Sequence, residues 1–510
     1  MSSLVGTVEW PIESFGALPD LVDISSMDLE QFRSVIPRER FGEIERTAEE
    51  GRELLDGAVA WNINSTARGG GVAELLRPLL AYARGAGVDA RWIVIDGPPE
   101  FFEVTKRIHN RLHGAEGDGG PLDEGARQIY ERVLAENMAT LPGEVRPGDV
   151  VIVHDPQPAG LVEGLRERGA AVIWRCHVGV DQPNHLVREA WDFLRPYVEP
   201  ADRYVFSRQA FVWDGLDRER VAVIRPSIDA FAPKNQDLDP DTVRAVLSAS
   251  GIVEDDGELG PAIFHRQDET PGRIESRAHL VEDQPLSPET PVVLQVSRWD
   301  ALKDPIGVIR GFGEHVPPET GAHLVYAGPA VEAVADDPEG QRLLRESVTA
   351  RAELPKEARR LVHLASLPMS DPEENAIIVN ALQRHARVVV QKSIAEGFGL
   401  TVAEAMWKAR PVVASRIGGI QEQIVDGETG VLLDDPRDLA AFGAAVTSLL
   451  ANPSRAEELG RRARERVRDE FLSVRSLTDY LGLIREVLRA PAHSSVSTRS
   501  ATDSTILDAR

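Results

Sequence analysis

Two glutamates enclose a glycine-containing segment, Glu396-Gly-Phe-Gly-Leu-Thr-Val-Ala-Glu404, which follows an apolar run ending at Gln391. Gly397 and Gly399 allow the backbone to come close to a ligand and to adopt torsion angles that other residues avoid. A helix predicted to begin in this segment would present free N–H groups to a phosphate oxygen or a sugar hydroxyl. Together with the two carboxylates, this pattern indicates a binding site for a polyol.

The same residues have a structural alternative. Thr401 and Glu404 match the capping-box pattern, in which side chains satisfy the free backbone N–H groups at the start of a helix. Glu396 would then be an ordinary loop carboxylate. The segment taken alone leaves both interpretations open.

Two cations follow the apolar run Val292–Val296. Arg298 and Lys303 lie just beyond this predicted strand, at the end where ligands of parallel sheets bind. Arginine offers a rigid fork of N–H donors and lysine a point charge, and the combination suits a diphosphate. The structural alternative is a surface ion pair with Asp300 or Asp304.

The composition limits the class of protein and of partner. A chain of 510 residues is too long for one hydrophobic core, so we expect two domains of about 200 residues each. The formal net charge of -25 argues against binding to nucleic acid or to anionic membranes. The single cysteine, Cys176, rules out an internal disulfide and favours a reducing compartment. Without a signal-peptide pattern or a membrane-spanning apolar run, the expected location is cytoplasmic.

Short apolar runs must position the candidate residues. Continuous runs of this kind suit strands buried on both faces of a parallel sheet, and helical or loop sequence separates each run from the next. Gly69-Gly-Gly71 follows the first run and precedes a helical pattern that Pro78 should kink or disrupt. The runs lie at 58–64, 91–95, 149–153, 171–174, 292–296, 324–327, 361–364, 388–391 and 411–414.

This alternation of apolar runs with helical sequence predicts an α/β protein with two doubly wound, Rossmann-like domains that face each other across a cleft. The acidic, proline-rich residues 236–290 interrupt this alternation, and their composition predicts a linker with a partly disordered insertion. The predicted boundaries are an N-terminal extension over 1–56, a first domain over 57–235, the acidic linker over 236–290, a second domain over 291–490 and a flexible tail over 491–510.

Arg298 and Lys303, followed by the Glu396–Glu404 pattern, resemble the retaining GT-B glycosyltransferases. The runs Trp174-Arg-Cys-His177 and His154-Asp-Pro-Gln-Pro158 narrow this resemblance to the nucleotide-sugar-dependent trehalose synthases. It implies the GT-B fold, with an N-terminal acceptor domain and a C-terminal domain for the nucleotide sugar.

The resemblance also implies a role for each matching residue on the donor side. Arg298 and Lys303 would neutralise the diphosphate of the leaving nucleotide. Glu404 would bind the ribose hydroxyls, and Glu396 those of the transferred sugar. The sugar would also be held by backbone N–H groups of Phe398, Gly399 and Leu400.

The N-terminal domain would complete the site. His177 matches the family histidine that contacts the C6 hydroxyl of the sugar, and it joins Arg298, Lys303 and Glu396 as a catalytic candidate. Gly70 and Gly71 match the glycine loop that closes over the donor phosphate. Asp155 is the candidate for binding the acceptor sugar, although an Asp-Pro pair is also ordinary turn chemistry.

The implied reaction transfers glucose from a nucleoside diphosphate glucose to free glucose and forms α,α-trehalose with retention of configuration. No cofactor is expected, Mg²⁺ being possible only as a counter-ion of the nucleotide, and the histidine spacings do not match a zinc site. A homodimer is a reasonable assembly for this family. Three other functions stay open: a phosphorylase that uses glucose 1-phosphate, a transferase with another acceptor, and a non-catalytic sugar-nucleotide-binding protein.

Overall fold

The computed structural model describes residues 20–67, 71–141, 145–254, 257, 260–268, 270–331 and 338–489. In these ranges the chain forms two seven-stranded sheets and one two-stranded hairpin, with helices packed on the sheets. The predicted pair of doubly wound, Rossmann-like domains is therefore confirmed. The apolar runs became strands because both faces of each sheet are covered: every residue of the strand Val388–Gln391 is buried.

The first domain is built on a sheet in which one edge strand is antiparallel and all other neighbours are parallel. The strands are β1 (Asp20–Val22), β2 (Ala60–Asn64), β3 (Ala90–Val94), β4 (Val150–His154), β5 (Ala171–Cys176), β6 (Arg203–Phe206) and β7 (Val221–Val223). The helices are α1 (Arg38–Leu54), α2 (Gly71–Gly85), α3 (Pro99–Leu112), α4 (Glu124–Thr140), α5 (Val162–Glu167) and α6 (His185–Val198). The strand order is β1-β3-β2-β4-β5-β6-β7, and α2 continues through Pro78.

Residues 236–290, whose composition predicted a linker with a partly disordered insertion, contain regular structure in their described part. The elements are α7 (Pro240–Ala249), the hairpin strands β8 (Ile263–His265) and β9 (Pro271–Arg273), and β10 (His279–Val281). Short apolar patterns within the acidic sequence explain the difference, since Val243, Val246 and Leu247 bury one face of α7 and Phe264 buries the hairpin.

The second sheet starts with β10, which is antiparallel to β13, and all its other neighbours are parallel. Its further strands are β11 (Val292–Val296), β12 (His323–Pro329), β13 (Val362–Leu367), β14 (Val388–Gln391), β15 (Val412–Ser415) and β16 (Val431–Leu433). The helices are α8 (Pro305–His315), α9 (Pro338–Glu353), α10 (Lys356–Arg359), α11 (Pro372–His385), α12 (Leu400–Trp407), α13 (Ile420–Gln423), α14 (Leu439–Ala451), α15 (Pro453–Glu470) and α16 (Ser473–Arg489). The strand order is β10-β13-β12-β11-β14-β15-β16.

The order of the strands places a crevice in each sheet. In the second sheet the strands that follow β11 are added first on one side of it (β12, β13) and then on the other (β14 onward). The loops after the parallel strands β11 and β14 therefore diverge to opposite faces and leave a crevice between them. In the first sheet the corresponding crevice lies between β2 and β4. Ligands of open α/β sheets bind at such points, beyond the carboxyl ends of the strands.

Both ends of the described chain belong to the first domain. β1 extends its sheet, and α16, which follows the second domain in sequence, packs against α1 and α2. The contact is close because Gly51 of α1 has no side chain: a Cβ there would lie 2.8 Å from Cδ2 of Leu481. The last helix therefore links the two domains. Among the described residues, no helix is long and apolar enough to cross a membrane.

We expect Leu481→Ala to destabilise the protein by about 2–5 kcal/mol, because it removes a buried side chain and leaves a cavity between α16 and α1. Urea unfolding would measure the loss. Glu486→Ala, an exposed position of the same helix, is the control and should change stability by less than about 0.5 kcal/mol. Equal effects of the two variants would contradict the role given to this contact.

Candidate functional site

Lys303 and Glu396 meet at the crevice of the second sheet. Lys303 ends the short helix Ala301–Lys303 after β11, and Glu396 lies in the loop between β14 and α12. Nζ of Lys303 lies 2.6 Å from both carboxylate oxygens of Glu396, and Oγ of Ser393 donates to one of them at 3.1 Å. The side chains are only 16% and 11% exposed. A largely buried ion pair therefore joins the two loops that the sequence singled out.

Buried polar groups fix the loop that carries Lys303. Gln295 of β11 donates from Nε2 to the carbonyl of Lys303 at 2.9 Å and accepts from the backbone N–H of Lys392 at 3.1 Å. The buried ammonium of Lys392 pairs with Asp304, the residue that caps α8. A mutually satisfied network of this kind favours one loop conformation. Gln295 and Lys392 were not predicted from the sequence, where their only signal is a polar residue at the end of an apolar run.

Arg298 differs from Lys303 in its exposure. Its side chain is 71% exposed and forms an ion pair with Asp300 at 3.0 Å, as the structural alternative predicted. Asp304 is occupied by Lys392 instead. An exposed pair contributes little free energy and breaks easily, so the guanidinium of Arg298 stays available to an anionic ligand.

The capping-box interpretation of Glu404 is wrong. The N-cap of α12 is Gly399, with φ 81°, and Thr401 lies inside the helix, where its hydroxyl donates to Oε1 of Gln391 at 3.0 Å. Glu404 is 2% exposed, and its Oε2 atom has no hydrogen-bond partner in the described part of the chain. A buried carboxylate oxygen without a partner is costly, and a ligand donor would relieve that cost.

A cavity of about 650 Å³ lies against Glu404 and is lined by residues of both domains. Lys234 forms ion pairs there with Glu74 of α2 and with Glu404, the latter at 3.6 Å. Burial lowers the pKa of Lys234, but the two carboxylates outweigh it and raise the pKa overall. The volume is in the range of small-molecule and cofactor sites. Lys234 and Glu74 were missed from the sequence, because only the fold brings them to Glu404.

The start of α12 is shaped by close backbone packing. Gly399 is left-handed, and a Cβ there would lie 2.9 Å from Cγ1 of Ile420. The carbonyl of Phe398 accepts a hydrogen bond from Gln423 at 2.6 Å, and Leu400 is the first residue of the helix. The backbone N–H groups predicted to bind a sugar therefore lie at the N-terminus of a well-anchored helix.

Two histidines form a neutral relay on the N-terminal wall of the cleft. Nε2 of His154 donates to Oδ1 of Asn62 at 3.0 Å, so Nδ1 of His154 accepts from Nε2 of His177 at 3.0 Å. Burial lowers the pKa of His154 to about 3 and holds the pKa of His177 well below its usual value. Nδ1 of His177 is then a buried acceptor that has no partner among the described residues. It is suited to accept a hydrogen bond from a hydroxyl group.

Asp155 follows β4 and holds the loop of His177. Its Oδ1 atom accepts the backbone N–H of His177 at 2.7 Å, and its φ of 66° lies in the left-handed region. Burial raises the pKa of Asp155 to about 7, against the lowering effects of the His177 N–H group and of Arg175. Left-handed torsions and perturbed carboxyl groups are concentrated at functional sites, which supports Asp155 as a site residue.

The two walls face each other. A Cβ at Gly397 would lie 4.0 Å from the carbonyl of His177, and a Cβ at Gly71 would lie 4.0 Å from Cδ1 of Leu400. The structure thus brings the predicted residues of both domains to one cleft. Gly70, the other predicted glycine of the loop before α2, lies outside the described residues.

Two further histidines, at the end of α3, were missed by the sequence analysis. The rings of His109 and His113 lie 4.9 Å apart. Burial lowers the pKa of His113 to about 4, with further contributions from the positive charges of Lys303 and Arg298. In the described ranges, no three His, Cys, Asp or Glu side chains come together as a metal-binding group.

Two protein families match the chain. The family described as the N-terminal domain of trehalose synthase matches residues 62–213, and glycosyl transferases group 1 matches residues 277–466. The trehalose synthase of Rubrobacter xylanophilus is 39% identical over 90% of this chain and 97% of its own length. That of Pyrococcus horikoshii is 36% identical over 90% of this chain and 96% of its own length.

The chain is also similar to more distant proteins. The trehalose phosphorylase of Pleurotus pulmonarius is 25% identical, over 89% of this chain and 60% of its own length. A UDP-forming α,α-trehalose-phosphate synthase from Burkholderia xenovorans superposes with a TM-score of 0.60 at 15% identity, covering 85% of this chain and 99% of that structure. With the ion pair, the buried carboxylate and the histidine wall at one cleft, these similarities show that the chain belongs to the trehalose synthase family of GT-B glycosyltransferases.

Proposed function

We propose that the protein transfers glucose from a nucleoside diphosphate glucose to free glucose and forms α,α-trehalose with retention of configuration. One observation carries the proposal: the cation Lys303 and the carboxylate Glu396 meet in one domain, and Gly397, next to Glu396, faces the backbone of His177 in the other. The ring of His177 has an acceptor atom without a partner among the described residues. A diphosphate requires a cation such as Lys303, and a sugar ring with several hydroxyls requires acceptors such as Glu396 and His177.

The donor occupies the C-terminal wall in this proposal. Lys303 and Arg298 bind the diphosphate, while Glu396 and the N-terminus of α12 bind the hydroxyls of the glucose. Glu404 binds the ribose, because its buried Oε2 atom has no hydrogen-bond donor among the described residues and the residue lines the 650 Å³ cavity. No resident metal is required, and Mg²⁺ enters only as a counter-ion of the free nucleotide.

The chemistry proposed is a substitution on one face of the sugar. The bond between C1 and the diphosphate oxygen breaks, and a bond from C1 to the acceptor hydroxyl forms on the same face. The departing diphosphate takes the proton of that hydroxyl, so no enzyme nucleophile is needed. The protein contributes orientation, positive charge on the leaving group and exclusion of water as the domains close.

The decisive experiment incubates the protein with ¹³C-labelled nucleoside diphosphate glucose and unlabelled glucose. We expect nucleoside diphosphate and singly labelled α,α-trehalose, identified by NMR. The similarity to fungal trehalose phosphorylases makes glucose 1-phosphate the second donor to test. Trehalose and inorganic phosphate from that donor alone would favour a phosphorylase, and absence of trehalose from both donors would refute the proposal.

Glu404→Ala and Arg298→Ala should affect different steps. Loss of a hydrogen bond to a charged group should raise the KM for the donor by about 10–100-fold in Glu404→Ala. Arg298→Ala should instead lower kcat by about 100-fold, because it acts on charge that develops in the leaving group.

Asp149→Asn is the control for this pair. Asp149 is a buried carboxylate that accepts hydrogen bonds from the backbone N–H of Val59 and from the ring of Trp61. It lies at the amino end of β4, away from the donor loops, so the change should lower stability without altering the donor KM. Full activity with lower thermal stability in the Glu404 and Arg298 variants would mean that both residues are only structural.

Asp155 predicts a pH dependence on the acceptor side. Its pKa of about 7 means that the carboxylate form is lost as the pH falls through 7, and with it the negative charge and the ability of both oxygen atoms to act purely as acceptors. We expect kcat/KM for glucose to fall below pH 7 in the wild type. Asparagine tolerates the left-handed torsion, so Asp155→Asn should fold. Its kcat/KM for glucose should be lower and should not fall further below pH 7. A wild-type profile that is flat from pH 5 to 8 would contradict this role.

A further inference from the structure

The loop that carries His177 is tied to the opposite domain by one side chain. Asp181 lies in this loop, four residues after His177. Its Oδ2 atom accepts hydrogen bonds from the backbone N–H of Gly418 at 2.9 Å and from Nε2 of Gln421 at 3.0 Å. Its Oδ1 atom pairs with the guanidinium of Arg208. A carboxylate of the first domain is therefore bound by groups of both domains.

Arg208 reinforces the same junction. It donates from Nη1 to the carbonyl of Gly418 at 2.7 Å and from Nε to Glu422 at 3.1 Å, although it belongs to the first domain. Arg225, also of the first domain, donates to Glu422 at 3.0 Å and to Glu470 at 3.2 Å. Arg208 is 13% exposed, so its part of this network is shielded from solvent. Networks of shielded charges with multiple partners fix geometry better than isolated surface pairs.

The contact reaches the donor loop through glycine packing. Gly418 is left-handed, and a Cβ there would lie 1.8 Å from the carbonyl oxygen of Glu396. The backbone N–H of Gly419 donates to the carbonyl of Gly397 at 2.8 Å. The segment that Asp181 binds is therefore in direct contact with the segment that carries Glu396.

The contact reaches His177 through the same loop. Gly179 lies between His177 and Asp181, and a Cβ there would lie 2.3 Å from Cγ of Phe211. The guanidinium of Arg208 lies 5.7 Å from the centre of that phenylalanine ring. His177 is thus held from its own domain by Asp155 and from the other domain through Asp181.

We infer that Asp181 is a positioning residue, which holds the His177 loop against the Glu396 loop across the cleft. It thereby determines what fraction of the glucosyl groups is transferred to the acceptor sugar and what fraction to water. The inference rests on the proposed transferase function. In hydrolysis the C1–diphosphate bond breaks, C1 takes the oxygen of water, and the diphosphate takes a proton. Transfer is favoured over this side reaction when the cleft is closed, with the His177 and Glu396 loops correctly positioned and water excluded.

The test compares Asp181→Ala and Asp181→Asn with the wild type. Asparagine keeps an oxygen for the Gly418 N–H but loses the charge that Arg208 binds, so its effect should be intermediate. With ¹³C-labelled donor and excess unlabelled glucose, we expect Asp181→Ala to lower kcat for trehalose about 10-fold. The labelled glucose released per trehalose should rise several-fold, and the donor KM should change less than about twofold.

Asp217→Ala is the matched control, because Asp217 pairs with Arg220 and accepts from the N–H of Glu219, so that in the described part of the chain its polar contacts stay inside the first domain. It should leave the ratio of hydrolysis to transfer unchanged. Equal ratios in folded Asp181→Ala and wild type would overturn the inference. So would a loss of transfer and hydrolysis in the same proportion, which is the behaviour of a purely structural residue.

A second measurement is independent of activity. Small-angle X-ray scattering of the ligand-free proteins should give a larger radius of gyration for Asp181→Ala than for wild type and Asp217→Ala. If the wild type forms no trehalose, the proposed function fails while this measurement still tests the contact. If Asp181→Ala does not fold, Asp181→Asn carries both measurements, and identical values to wild type would overturn the inference.

Discussion

The ion pair between Lys303 and Glu396 is the interaction on which the donor site depends. It spans the crevice between β11 and β14, and each charge compensates the other while no ligand is bound. A buried charge that loses its partner is strongly unfavourable, so a ligand can separate this pair only by replacing both partners. The sugar diphosphate of the proposed function meets this requirement, since its phosphates are anionic and its hydroxyls are hydrogen-bond donors. In that proposal the pair favours ligands that carry both groups.

Lys303 of this pair also supplies positive charge at the cleft of a strongly acidic protein. The formal net charge of -25 repels an anionic ligand over most of the surface. Lys303, Lys234 and Arg298 bring positive charge to the cleft, and Lys303 and Lys234 are kept there by carboxylates that they can exchange for ligand groups. Neutral histidines on the opposite wall add hydrogen-bonding capacity without adding a charge. In the proposed function, the attraction for a diphosphate is consequently confined to the cleft.

The sequence predicts the fold well where one local signal decides the outcome. The continuous apolar runs predicted β11 and β14 with the observed bounds, and the structure brings together Lys303 and Glu396, which follow these strands. Prediction failed where distant groups decide. Lys234 and Glu404 belong to different domains and meet only in the folded chain, and β10 becomes a strand because β13 offers it an edge. The capping box failed because Gly399, with its left-handed torsion, starts the helix before Thr401 can.

The two runs that carried the family resemblance form one physical unit. β4 and β5 are parallel neighbours, and their register pairs His154 with Arg175. Asp155 is the next residue after His154, and three residues of the second run form hydrogen bonds with it. The ring N–H of Trp174 donates to its carbonyl, and its own N–H donates to the carbonyl of Arg175. The backbone N–H of His177 donates to its carboxylate. Side chains alternate along a strand, so Trp174 and Cys176 pack in the core while His177 turns to the cleft. A change in either run would therefore move Asp155 and His177 together, which explains why the two runs are informative as a pair.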